Sequence, residues 1–141
     1  MNYLLDTNVL SEPLRPQPSP IVLRWLEDLD EDRAFVSVIT LAELRRGALL
    51  LAPGRRRWTL MNWIDEDLRN RFVGRIAPVD AGVADCWSEV MAARRSKGQG
   101  LGVMDGFIAA TALVRELTVV TRNVRDFAFL GDRVVNPWET L

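Results

Sequence analysis

The sequence predicts an α/β fold: a three-layer α/β/α sandwich around a central, mainly parallel sheet. Short apolar runs rich in β-branched residues alternate along the chain with helical patterns. This alternation indicates right-handed crossovers and a parallel sheet covered on both faces. The chain has 141 residues, of which 48% are hydrophobic, enough to bury a sizeable core. No repeat or long linker divides the chain, so we predict a single domain over residues 1–141.

The first part of the chain predicts two strands and one helix. Residues 2–5 and residues 34–39 are short apolar runs typical of buried strands. The proline-rich residues 13–20 indicate a loop after the first strand. Thr40-Leu41-Ala42-Glu43 has the T-x-x-E form of a capping box, which predicts the start of a helix that Pro53-Gly54 ends. Its apolar stripe consists of Leu41, Leu44, Ala48 and Leu51.

The remainder predicts three helices and three strands. A helix over residues 58–72 is followed by a short strand at residues 75–79. Asp80 then caps a helix, because apolar residues recur after it at helical spacing. Residues 103–117 are apolar on nearly every side, as expected for a helix packed against a sheet. The last two strands are predicted at residues 117–121 and 134–135.

The residue types that are missing exclude several classes of chemistry. The chain has no histidine, which excludes a Ser-His-Asp triad, a histidine base and an HExxH zinc site. Its single cysteine, Cys86, cannot form an internal disulfide or a multi-cysteine metal site. Carboxylates are the remaining candidates, and without histidine they usually work by holding a hard cation such as Mg²⁺ or Mn²⁺.

The apolar runs also exclude a membrane span, because none approaches the ~20 residues that a spanning helix needs. The amino terminus lacks the basic region of a signal peptide. We therefore expect a cytoplasmic protein.

Four acidic residues are candidates for a site, and each also has a structural explanation. Asp6 directly follows the first strand, where it would also cap the next segment. Glu43 is the expected capping-box partner, although Gly47 leaves open space beside it one helical turn later. Asp105 begins the most apolar helix, where burying an unpaired carboxylate costs roughly several kcal/mol. Asp126 follows a late strand, but it would also pair with Arg122 or cap a turn.

Together these acids point to a metal site. Parallel α/β sheets bind ligands at the carboxyl ends of their strands, where the strand order reverses. Two like charges about 4 Å apart repel by ~4 kcal/mol at an effective dielectric constant of about 20, so such a cluster needs protons or a divalent cation near neutral pH. A cation held there would lower the pKa of a bound water and stabilise charge on phosphorus. Phosphodiester hydrolysis is the chemistry that this pattern favours.

Two phosphate-handling α/β classes do not fit specific residues. A haloacid-dehalogenase-like phosphatase would need an aspartate where this chain has Asn8. A response-regulator receiver would need a lysine after a late strand, whereas Lys97 is the sole lysine and lies in a predicted loop.

Four ordered motifs resemble the PIN-domain family, and they extend over nearly the whole chain. They are Leu4-Leu5-Asp6-Thr7-Asn8-Val9-Leu10, Glu43 after Ser37-x-x-Thr40, Asp105-Gly106-Phe107-Ile108-Ala109-Ala110-Thr111-Ala112 and Thr121-Arg122-Asn123. The chain is most similar to the VapC and FitB branch of bacterial toxin–antitoxin modules, also through residues 11–16 and 136–138.

The resemblance implies a Mg²⁺- or Mn²⁺-dependent ribonuclease. Asp6, Glu43 and Asp105 fall on the first three acidic positions of the family. Family members carry the fourth acid either at the position of Asn123 or three residues later, so we assign Asp126 as the fourth acid and Asn123 as an auxiliary group. Polar residues at matching positions are Thr7, Asn8 and Thr121.

The resemblance also implies partners. Similar proteins are homodimers neutralised by a small antitoxin, whose carboxyl-terminal segment lies across the active site and whose amino-terminal domain binds operator DNA. The alternative function is a PIN-like module that binds RNA or a partner without cleavage, although the intact acidic set argues against it. The basic run Arg55-Arg56-Arg57, preceded by Arg45 and Arg46, is interpreted as a solvated charged loop, with contact to RNA or an antitoxin as the other interpretation.

Overall fold

Five short parallel strands form one central sheet in the computed structural model, which describes residues 1–139. The last two residues of the predicted 1–141 domain lie outside the described residues. The strands are β1 (Tyr3–Leu5), β2 (Ala34–Ser37), β3 (Ile76–Ala77), β4 (Thr118–Val120) and β5 (Val134–Val135). Their order is β3-β2-β1-β4-β5. The chain order therefore reverses between β1 and β4, and the predicted parallel α/β sheet is confirmed.

Helices cover both faces of this sheet. Within residues 1–139 the α-helices are α1 (Thr7–Ser11), α2 (Pro20–Asp28), α3 (Val38–Leu49), α4 (Arg55–Asn62), α5 (Arg69–Arg71), α6 (Ala81–Ser96) and α7 (Val103–Arg115). Adjacent residues of β1 point to opposite faces: Leu5 packs in a core with α3 residues, and Leu4 packs in a second core with Ile108 of α7. Because both faces are buried, the three-layer prediction is confirmed.

The start of α3 differs from the prediction. The strand ends at Ser37 instead of residue 39, and the Ser37 hydroxyl accepts a hydrogen bond of 3.0 Å from the backbone N–H of Ile39. Thr40 is buried inside the helix, and its Oγ1 has no hydrogen-bond partner within residues 1–139. The predicted capping box of Thr40 and Glu43 is therefore wrong. The serine cap and tertiary packing outweigh the weak strand preference of the following β-branched residues.

The second predicted helix begins earlier than expected. It starts at Arg55, after Gly54 as N-cap, and continues from α4 through the π-helical stretch Trp63–Leu68 into α5. Arg55-Arg56-Arg57 therefore form a helical turn, and their assignment to a loop is wrong. The apolar pattern begins at Trp58 because the first turn carries only arginine side chains, which contribute nothing to hydrophobic periodicity.

The carboxyl-terminal half follows the prediction more closely. Asp80 caps α6 as expected, its Oδ1 accepting a 3.0 Å hydrogen bond from the N–H of Val83. Helix α7 buries Ile108 against the sheet, as predicted. Its apolar residues Met104 and Val114 are nevertheless exposed, so burial against the sheet does not account for all of the apolar residues in this helix. In the part of the chain that the structure describes, no helix is long and apolar enough to cross a membrane.

Candidate active site

Asp6 lies at the carboxyl end of β1, at the point where the strand order reverses. Its backbone N–H donates to the carbonyl of Val120 at the end of β4 (2.9 Å). Its side chain is 4% exposed, and both carboxylate oxygens accept hydrogen bonds: Oδ1 from the N–H of Thr7 (2.8 Å) and Oδ2 from the hydroxyl of Thr121 (2.7 Å). Asp6 therefore caps α1 and occupies the predicted ligand-binding edge at the same time.

Polar side chains connect the ends of β1 and β4 around Asp6. The buried hydroxyl of Thr121 also accepts from the N–H of Asn123 (3.0 Å). The amide nitrogen of Asn8 lies 3.3 Å from the Thr121 hydroxyl and 3.5 Å from Asp6 Oδ2, while its oxygen accepts from the N–H of Arg122 (3.2 Å). The bonds of Asn8 to Thr121 and Arg122 join residues more than a hundred positions apart, and the whole set holds the Asp6 carboxylate in one orientation.

Glu43 reaches the same edge from α3. Its carboxylate is half-buried and accepts a hydrogen bond from the hydroxyl of Thr7 (3.1 Å). Burial raises the pKa of Glu43 above its ordinary value, and the negative charge of Asp6 raises it further. Glu43 is therefore linked to Asp6 through Thr7 instead of serving as a capping-box partner. The sequence offered no signal for this contact, because Thr7 and Glu43 lie 36 residues apart.

Asp105 lies in the first turn of α7 and is half-buried. Its carboxylate forms no hydrogen bond or ion pair within residues 1–139. Burial raises the pKa of Asp105 to about 6, with further contributions from the charges of Asp6, Asp126 and Glu43. The other three predicted acids therefore all lie close enough to Asp105 for their charges to raise its pKa.

Asp126 is exposed in the turn after β4, where its backbone N–H donates to the carbonyl of Asn123 (3.1 Å). The expected pairing with Arg122 is not present in residues 1–139; the Arg122 guanidinium instead lies over the ring of Trp138, 5.1 Å from its centroid. The charge of Asp126 raises the pKa of Asp6, although burial is the larger cause there. Asn123 contributes a backbone N–H to this edge.

The chemistry of these side chains fits a hard divalent cation. The acids present only oxygen donors, and the charges of neighbouring acids raise the pKa values of Asp6, Glu43 and Asp105, so a cation would relieve the repulsion. In residues 1–139 no three acidic or cysteine side chains lie in an arrangement that could hold a metal ion by themselves. Mg²⁺ commonly binds proteins through one or two carboxylates and keeps several waters, so a site built from only some of these acids is compatible with it.

A cavity of about 1000 Å³ opens beside this edge, and sequence reasoning missed it. Thr7 and Glu43 form the wall that it shares with the acidic cluster. Other lining residues come from α4 and the π-helical stretch, including Arg55, Arg56 and Trp63. The open space predicted next to Gly47 is part of this cavity, since no atom lies within 4 Å of a Cβ added there.

Comparisons with known proteins agree with the motifs. Residues 3–130 match the PIN domain. The chain is 42% identical over 135 residues to Toxin FitB of Neisseria gonorrhoeae, covering 96% of this chain and 97% of that protein. It is 35% identical over 136 residues to VapC ribonuclease Y4jK of Sinorhizobium fredii, again covering 96% and 97%.

The fold is also similar to that of a solved structure of FitAB bound to an IR36 DNA fragment. The TM-score is 0.90 at 40% identity, and the match covers 99% of this chain and 97% of that chain.

Proposed function

Since this chain belongs to the PIN-domain family, we propose that it is a metal-dependent endoribonuclease and the toxin of a toxin–antitoxin pair. The observation that carries the proposal is the set of four acids, Asp6, Glu43, Asp105 and Asp126, at the switch point of the sheet, where the charges of neighbouring acids raise the pKa values of Asp6, Glu43 and Asp105. Two relatives aligned along nearly their whole length are named as a toxin and as a ribonuclease, which supports the assignment.

We assign these four acids to the binding of Mg²⁺ or Mn²⁺. Such an ion, when bound, would lower the pKa of a coordinated water and stabilise negative charge on the scissile phosphate. Asp6 offers a carboxylate whose orientation is already set by Thr7 and Thr121. Asp105 offers a carboxylate that has no other partner in residues 1–139. With a pKa of about 6, Asp105 is mostly ionised at pH 7 and above, as a metal ligand must be.

Polar neighbours of the acids have positioning roles in this proposal. Thr121 and Asn8 orient Asp6, and Thr7 orients Glu43. Partners that fix a ligating carboxylate in this way contribute to metal affinity without touching the ion. Asn123 remains an auxiliary group in the proposal, and Asp126 the fourth acid.

The proposed partners are RNA as substrate, a cognate antitoxin of the VapB or FitA type, and operator DNA reached through that antitoxin. The similarity to FitAB bound to DNA supports this arrangement. We further propose a homodimer, as the family resemblance implies.

The test is cleavage of a pool of labelled RNAs by the purified protein with Mg²⁺, with Mn²⁺ and with EDTA, beside Asp6→Asn. We expect cleavage that requires the metal and disappears in the variant. Cleavage that persists in EDTA would contradict the metal assignment. Absence of both cleavage and Mn²⁺ binding in calorimetry would instead favour the alternative, a PIN-like module that binds RNA or a partner without cutting it.

A further inference from the structure

The cavity beside Glu43 combines an apolar floor with two arginines. Leu44, Leu60 and Trp63 supply apolar surface, and Arg55 and Arg56 supply positive charge. Asp67 also lines the cavity, where it and Glu43 supply negative charge. The volume of about 1000 Å³ is at the upper end of the range typical for small-ligand sites.

The position of these arginines is unfavourable for the stability of α4. Arg55 and Arg56 occupy its first turn, where the helix dipole disfavours positive charge. That turn contains no acidic residue, and Gly54 provides no side-chain cap. Neither arginine forms an ion pair in the part of the chain that the structure describes. A bound phosphate would relieve the repulsion by meeting both the guanidinium groups and the free N–H groups of the first turn.

The walls of the cavity are already held in place. Nη1 of Arg45 lies 2.6 and 2.7 Å from the two carboxylate oxygens of Asp65, which ties α3 to the π-helical stretch. Arg45 is thus a structural residue, unlike Arg55 and Arg56. A cavity formed before the ligand arrives costs little to organise on binding.

We propose that this cavity binds the nucleotide next to the scissile bond of the RNA, with Arg55 and Arg56 holding its phosphate and Leu44, Leu60 and Trp63 contacting its base. The inference rests on the proposed function, because Glu43 is shared between the cavity and the acidic cluster. We favour RNA over a protein segment here, because arginine pairs with phosphate bidentately and a base supplies a flat face that packs on the apolar side chains.

Binding of fluorescein-labelled single-stranded RNA of random sequence, measured by anisotropy in an Asp6→Asn background with Mg²⁺, tests the phosphate contacts. We expect Arg55→Gln/Arg56→Gln to weaken binding by at least about tenfold. The salt dependence should become shallower by about 0.7 in log–log slope for each lost contact. Arg57→Gln is the matched control, since Arg57 lies in the same turn but lines a separate pocket with Trp58. It should change affinity by less than about twofold.

Gly47 offers an independent test of the cavity itself. Gly47→Phe places a ring in the open space and should reduce RNA binding by about tenfold or more, whereas Gly47→Ala should bind as before. Alanine is favoured over glycine inside a helix, so the control variant is expected to fold at least as well. Circular dichroism of both variants separates blocked binding from misfolding.

Cleavage of the same RNA pool, with each substitution in the otherwise unchanged protein, separates failure of this inference from failure of the proposed function. If the wild type cuts RNA and Arg55→Gln/Arg56→Gln binds and cuts it equally well, the phosphate assignment is wrong although the nuclease stands. Loss of antitoxin binding alone in that variant would assign the cavity to a protein partner and overturn the inference. If the wild type neither binds nor cuts RNA, both proposals fail.

Discussion

The two sides of the acidic cluster are built differently. At the ends of β1 and β4, Asp6 is buried and held by hydrogen bonds from Thr7 and Thr121. At the start of α7, Asp105 is half-buried and forms no such bond within residues 1–139. Both have raised pKa values, but hydrogen bonds oppose the rise at Asp6, whereas every cause acting on Asp105 raises it. Asp6 is therefore a carboxylate of fixed orientation, whereas Asp105 is a negative charge without a counterion in residues 1–139.

An acidic cluster of this kind is tolerated in a folded protein because its members are stabilised differently. Hydrogen bonds to Asp6 stabilise its charge before any ion binds, so that carboxylate keeps its orientation. The repulsion is concentrated on Asp105, where a cation gives the largest relief. We therefore expect the β1–β4 edge to be preorganised for a cation, and a bound cation to change the α7 side more.

The largest expected effect comes from removing either charge. Asp6→Asn and Asp105→Asn should each reduce Mg²⁺-dependent cleavage by at least about 10³-fold, since metal stabilisation contributes several kcal/mol to the barrier. Single-turnover cleavage measures this loss. The comparison adds a second expectation: without metal at pH 7.5, Asp105→Asn should resist urea at least as well as the wild type, because it removes a repelled charge. Retained cleavage in Asp105→Asn would show that Asp105 is not part of the catalytic site.

A smaller effect is expected from the positioning hydroxyl on the preorganised side. Thr121→Val removes the bond to Asp6 Oδ2 and should lower activity by about 10- to 100-fold, as is typical for partners of metal ligands. Thr121→Ser keeps the hydroxyl and should retain most of the activity. The affinity for Mn²⁺, measured by calorimetry, should likewise fall in Thr121→Val and be largely retained in Thr121→Ser. Equal activity in the valine and serine variants would show that the hydroxyl does not position Asp6.

The Thr7 hydroxyl, which meets the half-buried Glu43, should matter less. Thr7→Val loses the 3.1 Å bond, worth about 1 kcal/mol, so cleavage should fall by about fivefold. The backbone N–H of Thr7 still caps Asp6 in this variant, so folding should be unaffected. Thr7→Ser is the matched control. An effect as large as that of Thr121→Val would mean that Glu43 is held as tightly as Asp6.

The pH dependence of stability tests the raised pKa of Asp105 directly. The folded pKa of Asp105, about 6, lies above its ordinary value of 3.8. The folded state therefore binds this proton more tightly, and the contribution to the free energy of unfolding is present below about pH 4 and lost as pH rises through about 6. Urea denaturation without metal should show this decline as a difference between the wild type and Asp105→Asn. Mg²⁺ should restore stability at pH 7.5. A pH-independent difference would show that the folded pKa of Asp105 is not raised.

Much of the fold was predictable because it depends on local patterns. The five strands were located to within a few residues, and Asp80 was identified as the cap of α6 from its neighbours alone. The start of α3 was predicted wrongly because Ser37 and Thr40 are both acceptable caps locally, and packing decides between them. The first turn of α4 was missed because three arginines carry no apolar periodicity.

The candidate site was likewise only partly predictable from the sequence. The absence of histidine and the placement of acids after strand ends are enough to make carboxylate and metal chemistry the candidate. No sequence pattern indicates that Thr121 holds Asp6 across 115 positions, that Thr7 rather than a helix cap holds Glu43, or that a cavity with Arg55 and Arg56 opens beside them. The physical reason is that residue type and spacing report each residue's local preference, whereas a hydrogen bond or a cavity depends on which distant elements the strand order makes neighbours.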